Sequence, residues 1–137
     1  MAKFTVSGLD DVQEAMLRRE KATMEAVPEM LKAGGEVIRR AFQEETQKLN
    51  STGRGTGDLA ASMKVSAVKE RGGGSYVDIA PTGTDRHGVR NAEKGFVLNY
   101  GRKNMPARPW FTTANAKAAD EATAEMRRVW EEKQNGR

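Results

Sequence analysis

Residues 29–49, EMLKAGGEVIRRAFQEETQKL, carry the strongest periodicity in the chain. Leu31, Gly34, Ile38, Ala41, Phe42 and Leu49 fall on one broad stripe at helical spacing. Glu36, Arg39, Arg40, Glu44, Glu45 and Lys48 lie mostly elsewhere. This pattern predicts an amphipathic helix with one buried face. Gly34-Gly35 costs such a helix about 1 kcal/mol per glycine relative to alanine. Either close approach of another backbone or a local kink would account for that cost.

Toward the N-terminus, Leu9, Val12, Met16 and Leu17 recur at helical spacing, with Ser7 as cap and Asp10 as the returning acid. Pro28 has no N–H to donate, which predicts a kink there or a fresh helix start. Residues 1–8 read as a short strand or arm. Toward the C-terminus, the small polar residues 50–57 break the pattern, and residues 58–63 suit a single helical turn. Residues 63–70 and 75–80 alternate as two strands around the turn Arg71-Gly72-Gly73-Gly74. Residues 81–95 hold three glycines and no apolar run, so they read as a long surface loop. Residues 96–100 read as a third strand. Ala114, Ala118, Ala122, Met126 and Val129 or Trp130 then mark the inner face of a last helix, and residues 131–137, without an apolar side chain, should fray. The expected fold is α+β: a long N-terminal helix on a small antiparallel sheet of three to four strands, closed by a C-terminal helix, all in one domain over residues 1–137.

Composition narrows the chemistry. The 137 residues contain no cysteine and one histidine, which leaves no disulfides, thiolate metal sites, thiol nucleophiles or His–His acid/base pair. No run approaches the roughly 18 apolar residues of a membrane span, so no membrane partner is expected. The Gly-rich segment 53–57 follows a helix and has no Lys-Ser or Lys-Thr after it, unlike a phosphate loop. Gly83 and Gly88 have the Walker spacing, but Val89 and Arg90 stand where Lys and Ser/Thr belong. Asp85 and His87 lack a third group to orient a hydrolytic site. No cofactor, metal or catalytic residue is assigned.

Basic residues carry the functional signal. The net charge is +4, and Arg86, Arg90, Lys94, Arg102, Lys103 and Arg108 crowd into 23 residues beside Tyr100 and Trp110. Cations interleaved with aromatics suit a partner interface, or single-stranded nucleic acid as the alternative. The candidate interface is Arg54, Arg86, Arg90, Arg102, Lys103, Arg108 and Trp110. Arg108 precedes a rigid proline and two aromatics, Trp110 and Phe111. These point about 100° apart on a helix. Phe111, on the arc of Ala114, Ala118 and Ala122, is expected in the core and Trp110 at a partner.

Three segments in order resemble a phage family. Thr56-Gly57-Asp58-Leu59-Ala60-Ala61-Ser62 follows the long helix, an aromatic segment ends at Gly101, and Pro106-Ala107-Arg108-Pro109-Trp110-Phe111 enters the last helix. Over about residues 24 to 130 the chain resembles the phage tail-component and neck family typified by gene product ten of a lambdoid coliphage. Asn99 and Arg102 depart from that family's usual acid and threonine, and Thr113 stands where a proline is common. The resemblance implies a non-enzymatic virion protein at the head–tail junction that acts in tail completion. It also implies a ring of copies of itself and contacts with head-completion, tail-terminator or tail-tube proteins. Packaged DNA would lie close by, and the host cytoplasm would hold the protein before assembly.

Overall fold

The computed structural model describes residues 9–49 and 57–135. The expected N-terminal strand or arm, residues 1–8, lies outside them, as does Arg54. Helix α1 (Leu9–Lys48) is followed by α2 (Asp58–Ala61), β1 (Met63–Val65), β2 (Lys69–Arg71), β3 (Gly74–Tyr76), β4 (Ile79–Pro81), α3 (Asn91–Tyr100) and α4 (Trp110–Gln134). The architecture is α+β.

Helix α1 runs through Pro28 without a break. Pro28 is exposed, so the carbonyl it leaves without an N–H partner can bond water. Helix α4 grips α1 on both sides of the proline. The Trp130 indole donates to Thr23 Oγ1 at 3.0 Å, and Lys133 pairs with Glu29 at 3.1 Å. The two helices run antiparallel, with Trp110 of α4 against Phe42 of α1 at the other end.

The Gly34-Gly35 pair admits close approach to α1 from two sides. A Cβ on Gly34 would stand 2.7 Å from Met126 Cγ of α4. One on Gly35 would stand 3.0 Å from Val65 Cγ1 of β1. Ala114, Ala118 and Ala122 complete a small-residue seam between the helices. The main core gathers Phe42, Leu59, Met63, Trp110 and Ala114, so α1, α2, β1 and α4 meet at the C-terminal end of α1.

Each long strand expected from the sequence is two short ones. β1 pairs antiparallel with β4, Met63 opposite Pro81, and β2 pairs with β3, Lys69 opposite Tyr76. Between the pairs the ladder is interrupted by Ser66, whose Oγ accepts the Asp78 N–H at 2.8 Å and donates to the Ala67 carbonyl. The turn falls where expected, on Gly72 and Gly73 at φ of 59° and 81°.

One expectation needs correcting. Residues 96–100 are not a third strand; they end helix α3. The inner face of α3 is Asn91, Gly95 and Asn99, spaced four apart and buried. Polar and small residues inside, with Phe96 and Tyr100 outside, hide the helical period from a reading based on hydrophobicity. The end expected to fray lies partly within α4. Helix α4 continues to Gln134, whose amide donates to Thr23 Oγ1 at 2.7 Å and to the Arg19 carbonyl at 3.2 Å. Polar anchoring replaces the missing apolar side chains.

Candidate partner interface

The basic segment is built around one carboxylate. Asp85 Oδ1 accepts the N–H groups of His87 and Val89, each at 2.9 Å, and Oδ2 accepts Lys94 Nζ at 2.8 Å. Its side chain is 6% exposed. The Lys94 ammonium and then the Val89 amide hold the Asp85 carboxyl below the usual carboxylate range. The segment expected to be an open loop is thus a tight turn, closed by a bridge between Thr84 and Arg90. It leads directly into α3, with the Asn91 N–H bound to the Gly83 carbonyl.

Arg86 is turned back onto the protein. Its guanidinium forks onto Asp58, with Nη2 2.8 Å from Oδ1 and Nε 3.0 Å from Oδ2, and this pairing raises its pKa. Arg86 therefore fixes the turn to the start of α2.

Arg90, Arg102, Lys103 and Arg108 are exposed, and none of the four is in an ion pair among the described residues. Arg102 and Met105 exchange backbone hydrogen bonds of 2.9 Å, which tightens the turn that displays Lys103. Gly101 permits that turn. At φ 75° and ψ −178° it occupies a region essentially reserved for glycine, and a Cβ there would stand 2.7 Å from the Ala107 nitrogen. Arg108 is held by its N–H on the Leu98 carbonyl at 2.7 Å.

Trp110 does not belong to this surface. It is 5% exposed, packs edge-on against Phe42 with ring centroids 5.4 Å apart, and donates its indole N–H to the Gly95 carbonyl at 2.9 Å. Gly95 makes room for it: a Cβ there would stand 3.0 Å from the indole. Phe111 is the outward one, 41% exposed, with its N–H on Asn99 Oδ1 at 3.0 Å. The assignment expected from the sequence is reversed. Four residues before Ala114, Trp110 extends the stripe of alanines spaced four apart, and that offset was the available signal.

Sequence reasoning missed the apolar part of the surface. Phe96 and Tyr100 are 65% and 63% exposed and touch each other, with ring centroids 4.8 Å apart. Beside them Val89, Val97, Leu98 and Met105 line an open groove of about 290 Å³ rimmed by Glu93, Lys94 and Arg102. Of the two cations at its rim Lys94 is paired with Asp85 and Arg102 is in no ion pair among the described residues, so this surface offers apolar contact beside an arginine, the composition of an interface anchored by aromatics and arginine.

A family model described as "Bacteriophage HK97-gp10, putative tail-component" matches residues 10–95. The match takes in α1, the four strands, the Asp85 turn and the first half of α3. No curated protein and no solved structure matches the chain.

Proposed function

Since the chain belongs to this phage tail-component family, we propose that it is a non-enzymatic assembly protein of a long-tailed phage or prophage. It acts at the head–tail junction as a ring-forming component that completes the tail and joins it to the head. The observation that carries this reading is the basic segment, where Arg90, Arg102, Lys103 and Arg108 are exposed and in no ion pair among the described residues, with Arg102 at the rim of an apolar groove along the helix that carries a pair of exposed aromatics. Partners of complementary charge are the other copies in a ring and the neighbouring head-completion, tail-terminator or tail-tube proteins. Heterologous contacts between copies close into a ring when the rotation allows.

Deletion of the gene from its phage tests this. Filled heads and separate tails should accumulate, and the wild-type gene supplied in trans should restore joined particles. Normal joining without the gene would end the proposal. If the chain instead acts on nucleic acid, the deletion should leave joining intact and the purified protein should retain DNA in a salt-dependent manner.

A further inference from the structure

Helix α1 outruns its partner. The last turn of α4 is tied to Arg19 and Thr23 through Gln134, so the part of α1 before Arg19 lies past the described end of α4. Among residues 10–21 only Ala15 is even half-buried. Yet this stretch is not a uniformly polar face. Val12, Met16, Leu17 and Met24 are 55%, 66%, 55% and 69% exposed. At 100° per residue they fall within an arc of about 140°. Val12 and Met16 continue the face that meets α4 further along; Leu17 and Met24 continue the face that meets the sheet. The arm therefore presents the two contact faces of α1 with nothing among the described residues on them.

Its charge is opposite to that of the far end. Residues 10–25 hold five acids and three bases, and Asp10, Asp11 and Glu20 are in no ion pair among the described residues. Residues 85–108 hold six bases and two acids, a surplus equal to the net charge of the whole chain. The arm cannot reach its own basic groove. Met16 and Phe42 lie on one continuous helix, about 40 Å apart at 1.5 Å per residue. Phe42 abuts Trp110, which is bonded to α3 beside the groove.

From these observations we propose that the N-terminal arm of α1 docks head-to-tail into the α3 groove of a second copy of this chain. Val12 and Met16 enter the space between Val89, Val97, Leu98 and Met105, and the acids of the arm meet Arg102 and its cationic neighbours. An amphipathic helix laid in an apolar groove is a recurrent recognition mode. Because the two surfaces are different and lie at opposite ends, each copy has one of each to offer, and the contact propagates around a ring. This contact deepens the assembly role proposed above and rests on it.

The chain has no native cysteine, so introduced thiols report only on themselves. Full-length Met16→Cys and Val89→Cys, both at exposed positions, are mixed and oxidised. The mixed disulfide should form several-fold more than either homodimer, or than Met16→Cys with Glu121→Cys as control. Oxidation of the doubly substituted chain should give a ladder or a closed ring. In sedimentation, Asp10→Lys with Asp11→Lys should weaken self-association, Arg102→Glu should weaken it too, and mixing these two variants should restore it. A dominant Met16–Met16 disulfide, or mixed linkage no greater than control, overturns the arm–groove contact. Self-association or joining without the mixed disulfide also overturns it, but leaves the joining role standing. The reverse result, efficient mixed disulfide in a protein that its phage does not need for joining, keeps the contact and removes the role.

Discussion

At the scale of single residues, adjacent side chains divide fold from surface. Trp110 fills the junction of α1, α3 and α4, and its indole N–H donates to the Gly95 carbonyl of α3. Trp110→Ala should cost about 3–5 kcal/mol, the usual range for losing a buried aromatic. Phe111 rests on Phe42 with centroids 5.2 Å apart but keeps a large part of its ring in water. Phe111→Ala should cost clearly less. Thermal or urea unfolding of the two variants checks the order, and equal destabilisation would refute the division. Asp85 is the other decisive side chain. Its carboxylate replaces a missing ladder by accepting two amides and a lysine. Because its pKa is depressed in the folded state, the stability it contributes is complete above the ordinary aspartate value of about 3.9 and is lost as pH falls through that range toward the folded value. Asp85→Asn should therefore flatten the acid limb of the stability curve and speed exchange at the His87 and Val89 amides. An unchanged acid limb would mean that the turn does not depend on the charge.

At the scale of elements, α1 was legible from its stripe and its end, whereas its continuity through Pro28 was not. A proline signals a kink or a fresh start from local chemistry alone, and here packing on both sides carries one helix through it. Replacing a helix-interior proline by alanine is worth up to about 3 kcal/mol, less the entropy that proline removes from the unfolded chain. Pro28→Ala should then raise the melting temperature by several degrees while leaving the Trp130–Thr23 contact intact. A lower melting temperature would show that the proline shapes α1 rather than merely being tolerated. Helix α3 was the element the sequence concealed. Its buried positions are two asparagines and a glycine, each engaged: Asn91 on the Thr82 carbonyl, Asn99 on the Phe111 amide, Gly95 beneath Trp110. When a helix is held by hydrogen bonds and close approach, hydrophobic periodicity points to its outer face. The same inversion put Phe96 and Tyr100 on the surface, where Tyr100 stands in the basic segment that the sequence marks and Phe96 carries no signal of its own.

At the scale of the whole molecule, order should decline along α1. Its C-terminal half is enclosed by α2, β1 and α4 around Phe42 and Thr46, both 2% exposed. Its middle packs Val37 against the alanine seam of α4. Before Arg19 it is a single helix with water on nearly every side, and isolated helical segments shorter than about 12–15 residues are marginal. The sequence could not reveal this, because the periodicity of Val12 and Met16 is as regular as that of the buried stretch; what differs is where α4 stops. Local opening should be cheapest where buried contacts are fewest. In the isolated chain, amides of residues 12–21 should exchange far faster than those of residues 37–46 in the same helix. Hydrogen exchange followed by mass spectrometry resolves the two segments. Uniform protection along α1 in the monomer would refute the gradient and mean that the arm is stabilised by something other than packing. If the gradient is present in the monomer and disappears in the assembled particle, the ordering of the arm is part of assembly.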